Sequence, residues 1–136
     1  MKIFIDTGAF IALTDADDEN HMTAKTFYKD ATEKGTRFIT TNFVVCETMN
    51  YLRARVSHKV AVIFRENLKK SGVIKMINVT SPIEDVAFNV FKKYSDKDFS
   101  FTDCTSFSVM RCLKINKAFA FDRHFEQYGD FTRLPQ

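Results

Sequence analysis

The chain has 136 residues, 45% of them hydrophobic, which is enough to bury a core without disulfide bonds. No apolar stretch approaches the length of a membrane-spanning helix, and Asp6 interrupts the amino-terminal run too early for a secretory signal. The net charge of +3 is compatible with a nucleic-acid partner, but it is also common in proteins that bind none.

The first half of the chain predicts two strands and four helices. The apolar run from Ile3 to Ile5 predicts a buried strand that ends at the turn-forming sequence Asp6-Thr7-Gly8. A second short strand is predicted over 37–40, and Thr41 is the expected N-cap of the helix that follows. The four predicted helices cover 9–13, 22–34, 42–55 and 58–70.

The second half predicts two more helices and two or three strands. A strand lies within 73–79, and Ser81 is the expected cap of a helix to about 94 with Pro82 as its first residue. Ser100 caps a helix over 101–114, an apolar strand over 118–121 ends at Asp122, and 130–134 can add an edge strand. This alternation predicts a single α/β domain over 1–136, with a parallel sheet of four or five strands and helices on both faces.

Four acids are expected at one edge of this sheet. Asp6 and Asp122 follow strands, and Glu47 and Asp103 belong to helices that begin near the same edge. Ligands of open α/β sheets bind beyond the carboxyl ends of the strands. Because Glu47 shares a helix face with apolar neighbours such as Phe43, we expect it to lie in an apolar stripe, where an unpaired charge is costly.

Each acid also has an ordinary structural explanation. Asp6 can form a turn with Thr7 and Gly8, and Asp103 can complete a capping box with Ser100. Glu47 can reach solvent or pair with Arg53 or Arg55, and Asp122 can pair with Arg123 or His124. Taken one at a time, these explanations suffice.

Convergence of the four carboxylates favours metal chemistry. Acids gathered in one crevice repel one another unless protons or cations neutralise them. All-oxygen ligands select hard cations such as Mg²⁺ or Mn²⁺, which usually act on phosphates. The chain contains no phosphate-binding glycine loop, no dinucleotide fingerprint and no Gly-x-Ser-x-Gly elbow. Metal-assisted hydrolysis of a phosphodiester is the chemistry that remains.

The cysteines and histidines do not indicate a zinc site. Cys46, Cys104 and Cys112 form no Cys-x-x-Cys pair, and the three histidines lie at unrelated spacings. We therefore expect the cysteines to be reduced core thiols in a cytoplasmic protein.

The acids lie in sequences that resemble the four acidic motifs of PIN domains, and most closely those of the small VapC-like members. The resemblance covers essentially the whole chain, with the motifs in the family's order. It implies a PIN-like, Rossmann-type sheet and a ribonuclease that requires Mg²⁺ or Mn²⁺. The matching segments are Ile3 to Phe10, Glu47 within Thr41 to Asn50, Phe101-Thr102-Asp103, and Ala120 to Phe125.

The resemblance also implies roles for individual residues and for partners. Asp6 and Asp103 match the acids most often assigned to metal, and Glu47 and Asp122 match those that complete the catalytic site. The family implies an RNA substrate, a homodimer and, for toxin members, an antitoxin protein that covers the site. Supporting and substrate-binding positions are expected at Thr7, Thr102 and Arg123, with Arg53, Arg55, Lys59, Arg111, Lys114 and Lys117 as further basic candidates for the entry to the site.

Other functions remain open at this stage. A PIN domain can process RNA without being a toxin, or can serve as a non-catalytic module that binds RNA or protein. A phosphatase of the haloacid-dehalogenase type is less compatible with the chain, because its Asp-x-Asp motif would need an acid where Gly8 stands.

Overall fold

The structure is a computed structural model that describes residues 1–136. Its sheet contains five strands, all paired in parallel, in the order β3-β2-β1-β4-β5. The predicted parallel α/β sheet is therefore confirmed, with the higher of the two expected strand numbers. The strands are β1 (Lys2–Ile5), β2 (Arg37–Thr41), β3 (Ile74–Ile77), β4 (Lys117–Phe119) and β5 (Thr132–Leu134).

Seven helices connect the strands. None of them combines the length and the apolar character that crossing a membrane requires. They are α1 (Thr7–Thr14), α2 (His21–Glu33), α3 (Asn42–Arg55), α4 (His58–Lys70), α5 (Ser81–Lys93), α6 (Phe101–Leu113) and α7 (His124–Tyr128).

The strand order reverses between β1 and β4, and this reversal positions the site. Right-handed crossovers from β1 to β2 and then to β3 place α1 to α4 on one face. The chain then crosses from β3 to β4 on the far side of β1, which places α5, α6 and α7 on the opposite face. The contacts of α3 with α4 and of α5 with α6 agree with this arrangement. Ligands of open α/β sheets bind at such a reversal, beyond the carboxyl ends of the strands.

The core is aromatic, as the fifteen phenylalanines suggest. Phe4, Phe38 and Phe119 are buried on the strands, and Phe107 and Phe125 are buried on α6 and α7. These rings belong to one cluster of 29 buried hydrophobic residues. The core thus fixes α6 and α7 against the strands that carry the site.

Several local predictions need correction. Thr80, with an extended backbone (φ −96°, ψ 168°), is the N-cap of α5, because Ser81 is already helical. The strand predicted over 118–121 ends at Phe119, and α7 was not predicted. Only Cys104 is a core thiol, and burial raises the pKa of that thiol to about 11; Cys46 and Cys112 are exposed.

Candidate active site

Asp6 connects β1 to α1 at the point where the strand order reverses. Its backbone N–H donates to the carbonyl of Phe119 on β4 (3.0 Å), and its own carbonyl accepts from Ala9 and Phe10 in the first turn of α1. Asp6 occupies the N-cap position of α1, yet its side chain makes no capping hydrogen bond. The carboxylate is buried (3% exposed), so neither helix capping nor hydration accounts for it.

The other three acids act electrostatically on Asp6. Burial raises the pKa of the Asp6 carboxyl well above its ordinary value, and the charges of Asp122, Asp103 and Glu47 raise it further. The backbone N–H of Thr7 opposes this shift. The four acids predicted to converge are thus electrostatic neighbours at the carboxyl edge of the sheet.

Asp103 both caps a helix and faces the site. Its backbone N–H donates to Ser100 Oγ (3.0 Å), and its Oδ2 accepts from the N–H of Ser100 (3.0 Å), which completes a capping box for α6. The same Oδ2 lies 2.6 Å from His124 Nδ1. Burial raises the pKa of the Asp103 carboxyl, whereas the Ser100 N–H and His124 oppose that rise. The ordinary explanation by capping is confirmed, and the capping box holds the carboxylate beside His124.

Asp122 is held by a tight turn rather than by a strand end. It lies three residues beyond the end of β4, and its Oδ1 accepts from the backbone N–H of His124 (2.9 Å). Its Oδ2 lies 3.8 Å from His124 Nδ1. Asp103, Asp122 and His124 can each offer one ligand atom to a common ion, and these atoms lie within 4.8 Å of one another.

Glu47 marks the side of the site that is open to solvent. The expectation that it lies in an apolar stripe is wrong, because the buried side of α3 carries Val44, Val45, Thr48 and Leu52 instead. The α3 and α6 helices contact each other, so Glu47 shares a crevice with the start of α6. That crevice encloses about 490 Å³ and is lined by Asn42, Phe43, Cys46, Glu47, Asn50 and Thr102.

The domain matches a known protein family over most of its length. The sequence model described as the PIN domain matches residues 3–130. This chain belongs to the PIN-domain family. The predicted resemblance is confirmed on that match, which includes all four acids.

Two curated relatives are VapC proteins. The chain is 35% identical over 134 residues to the 23S rRNA-specific endonuclease VapC20 of Mycobacterium tuberculosis, covering 98% of this chain and 99% of the relative. It is 33% identical over 127 residues to a VapC ribonuclease of Archaeoglobus fulgidus, covering 92% of this chain and 80% of the relative. The expected likeness to VapC-like members is also confirmed.

Solved structures agree with the fold. The crystal structure of M. tuberculosis VapC20, described as a sarcin-ricin-loop-cleaving toxin, matches with a TM-score of 0.86 at 34% identity over 94% of this chain and 95% of that one. Rickettsia felis VapBC2 bound to a promoter DNA fragment matches with a TM-score of 0.73 at 7% identity, covering 98% of this chain and 97% of that one. At 7% identity the second match shows the shared fold alone.

Three further residues, predicted as supporting or substrate-binding, lie close in the chain or in the fold to the acids. Thr7 Oγ1 is buried without a hydrogen-bond partner, immediately after Asp6. Thr102 lines the crevice beside Glu47. Arg123 is exposed at the N-cap of α7, next to Asp122 in the chain. Thr7 thus offers an unpartnered hydroxyl next to Asp6 in the chain, and Arg123 offers an exposed guanidinium next to Asp122 in the chain.

Three of the basic candidates lie away from the site. Arg111 and Lys114 are at the end of α6 opposite Asp103, and a helix of 13 residues is roughly 20 Å long. Lys117 begins β4, at the amino edge of the sheet. A larger cavity of about 790 Å³ beside the edge strand β3 contains none of the four acids.

A divalent cation fits the acid cluster. Asp6 and Asp103 are buried carboxylates with raised pKa values, and no lysine or arginine forms an ion pair with any of the four acids. Buried charge of one sign is costly unless it is neutralised. The carboxylate oxygens of four acids are the kind of ligand that hard divalent cations prefer.

His124 lies with Asp103 and Asp122 but is not among the site residues that the sequence predicts. The available signal is the spacing Asp122-x-His124, because an aspartate side chain commonly accepts a hydrogen bond from the backbone two residues on. Such a turn fixes the histidine beside the carboxylate. The contact with Asp103, 21 positions earlier in the chain, arises only from the fold.

Proposed function

We propose that this PIN domain is a metal-dependent endoribonuclease and the toxin of a toxin–antitoxin pair, with Asp6, Glu47, Asp103 and Asp122 as its active site. The observation that carries the proposal is the buried Asp6 carboxylate, which lies at the reversal of strand order and experiences the charges of the other three acids. The ribonuclease names of relatives at 33–35% identity support the same activity.

The cation would be Mg²⁺ or Mn²⁺, held chiefly by Asp6 and Asp103. When bound, such a cation lowers the pKa of water and stabilises negative charge that develops on the phosphate. Asp6 and Asp103 supply fixed negative charge from rigid positions, one at a strand end and the other in a capping box. Thr7 Oγ1 can donate a hydrogen bond that orients a carboxylate or a water molecule.

Glu47 and Asp122 complete the site on its exposed side. Both side chains reach solvent, and in the proposed site they would orient the attacking water and accept its proton. Attack on phosphorus breaks the bond to the 3′ oxygen and leaves a 5′ phosphate on the released fragment. Arg123, beside Asp122, would contact a neighbouring phosphate of the RNA.

The substrate class is single-stranded or looped RNA. Looped RNA presents its phosphates and bases to a crevice more readily than a continuous duplex does. VapC20 is named for cleavage of 23S rRNA and its sarcin-ricin loop, so a ribosomal RNA loop is the first substrate to test.

The proposed partners are a second copy of the chain and an antitoxin. The relatives at 33–35% identity are VapC proteins, and the resemblance to that family implies a homodimer and, for toxin members, an antitoxin that covers the site. The α5 helix exposes Val86, Phe88 and Phe91, apolar surface that a partner protein can cover.

Metal dependence is the direct test. The purified chain should cleave ribosomal RNA in Mn²⁺ or Mg²⁺, lose that activity in EDTA, and regain it when excess Mn²⁺ is added. Product ends are mapped by sequencing, and a 5′ phosphate is expected. Cleavage that persists unchanged in EDTA would contradict the proposed chemistry.

A second prediction concerns the capping box of α6. Ser100→Ala should destabilise the fold by about 1 kcal/mol, because the helix loses its side-chain cap. It should also lower Mn²⁺ affinity, since the cap orients Asp103. Thermal melts measure the first effect and calorimetric titration measures the second.

Ser57→Ala is the matched control for Ser100→Ala. Ser57 caps α4 through the N–H of Val60 (3.0 Å) and belongs to none of the motifs of the site. It should lose similar stability while Mn²⁺ affinity stays unchanged. Equal loss of affinity in both variants would show that the Ser100 cap has no specific role in the site.

A further inference from the structure

His124 is the histidine that lies among the acids. Its Nδ1 is 2.6 Å from Asp103 Oδ2 and 3.8 Å from Asp122 Oδ2. The other two histidines have partners elsewhere: His21 Nδ1 contacts the carbonyl of Ala12 (2.7 Å), and His58 Nδ1 contacts Arg53 (2.5 Å). Only His124 is therefore placed to act in the site.

The Nδ1 atom of His124 is buried, and the polar groups that it meets are the carboxylates of Asp103 and Asp122. Its contact with Asp103 Oδ2 is short (2.6 Å), and it lowers the pKa of the Asp103 carboxyl against the rise that burial causes. A buried ring nitrogen that faces two carboxylates is in the position of a third ligand to a common ion.

The orientation of the His124 ring is determined by its surroundings. The backbone N–H of His124 donates to Asp122 Oδ1 (2.9 Å), which fixes the main chain. The ring packs edge-on against the buried Phe99, with 5.6 Å between the ring centres and 79° between the planes. Nδ1 is thus held on the side of the acids by contacts that do not involve a metal.

We propose that His124 Nδ1 is a ligand of the divalent cation held by Asp103 and Asp122. The proposal rests on the metal site of the proposed function and adds a nitrogen to its oxygen ligands. In an octahedral site with bonds of about 2.1 Å, adjacent ligand atoms lie about 3 Å apart and opposite ones about 4.2 Å apart. The 2.6 Å and 3.8 Å separations are close to that spacing, and small side-chain adjustments bring them onto it.

A nitrogen ligand changes which cation is preferred. Both Mg²⁺ and Mn²⁺ favour oxygen ligands, but Mn²⁺, as a first-row transition metal, accepts a nitrogen ligand more readily than Mg²⁺, which retains several waters. His124 therefore biases this site toward Mn²⁺ over Mg²⁺. The four acids alone would not produce that bias.

Pulsed electron paramagnetic resonance of the Mn²⁺-loaded chain tests the ligand directly. A coordinated imidazole gives nitrogen modulation of the Mn²⁺ echo, and we expect it in the wild-type protein. It should persist in His58→Gln and disappear in His124→Phe, which keeps an aromatic ring against Phe99. Absence of the modulation from the wild-type spectrum would overturn the proposal without reference to any variant.

Calorimetric titration provides the second measurement. His124→Phe should weaken Mn²⁺ binding by about tenfold or more and change Mg²⁺ binding less, so the preference for Mn²⁺ shrinks. An unchanged preference, or no Mn²⁺ binding by the wild-type chain, would refute the role of His124. RNA cleavage is measured separately. Metal-dependent cleavage without nitrogen modulation would refute only the proposal that His124 is a ligand. Nitrogen modulation without cleavage would refute only the proposed ribonuclease activity.

Discussion

Asp6→Asn should reduce RNA cleavage by roughly two orders of magnitude or more while the protein stays folded. The substitution preserves the shape of the side chain but removes the most buried charge of the cluster. Charge stabilisation by a catalytic metal is worth several kcal/mol, and about 1.4 kcal/mol corresponds to a factor of ten in rate. Initial rates on ribosomal RNA in saturating Mn²⁺ measure the loss.

Asp17→Asn is the control for this experiment. Asp17 lies in the exposed acidic loop between α1 and α2, so the variant has the same net charge as Asp6→Asn but an intact site. It should cleave at the wild-type rate. If Asp6→Asn cleaved RNA at the wild-type rate, Asp6 would not belong to the active site, and the proposed function would be refuted.

Asp6→Asn should be more stable than the wild type in the absence of metal. This difference in stability should depend on pH. Because the pKa of Asp6 in the folded protein lies above its ordinary value of 3.8, the folded state binds that proton more tightly than the unfolded state. The wild type therefore loses stability as the pH rises from about 4 through the raised pKa, whereas Asp6→Asn does not experience this loss.

Thermal melts in EDTA across this pH range provide the measurement. The difference in Tm between Asp6→Asn and wild type should grow with rising pH and then level off above the pKa of folded Asp6. Mn²⁺ should narrow the difference, because it stabilises only the protein that retains the full ligand set. A wild type that is more stable than Asp6→Asn at neutral pH in EDTA would contradict the idea that Asp6 is electrostatically strained.

Local sequence signals predicted most of the elements and two of the caps. Thr41 caps α3 through the N–H of Val44 (3.2 Å), and Ser100 with Asp103 forms the expected capping box. These interactions join residues three positions apart, so the sequence contains both partners. The order of strands and helices likewise predicted the parallel sheet, since that alternation has few other solutions.

The features that depend on distant parts of the chain were not predictable in the same way. Helical periodicity placed Glu47 among apolar residues, but the packing of α3 against its neighbours left Glu47 exposed. The contact of His124 with Asp103 requires α6 and α7 to meet, and α7 itself is too short to have a periodic pattern. The order of strands and helices predicts the four acids at one edge of the sheet, whereas the separate surroundings of each acid emerge only from the fold.

Phe107→Ala should cause the largest loss of stability that we expect from a single substitution, about 3–5 kcal/mol. Phe107 is fully buried on α6, and the ring centres of Phe99, Phe125 and Tyr128 lie 5.1, 5.3 and 4.4 Å from its own. Removing the ring leaves a cavity where α6 packs on α7. Denaturant unfolding in urea measures the loss as a lower midpoint at an unchanged slope.

Phe88→Ala, compared on the monomeric chain, is the matched control, because Phe88 on α5 is 51% exposed there. Its cost should stay within about 0.5 kcal/mol. Phe107 lies one turn beyond Asp103, and its neighbour Phe125 follows His124 directly. Phe107→Ala should therefore also weaken Mn²⁺ binding at temperatures where the variant remains folded, since the elements that carry Asp103 and His124 no longer pack tightly. If stability falls while Mn²⁺ affinity holds, the aromatic core supports the fold but does not set the geometry of the site.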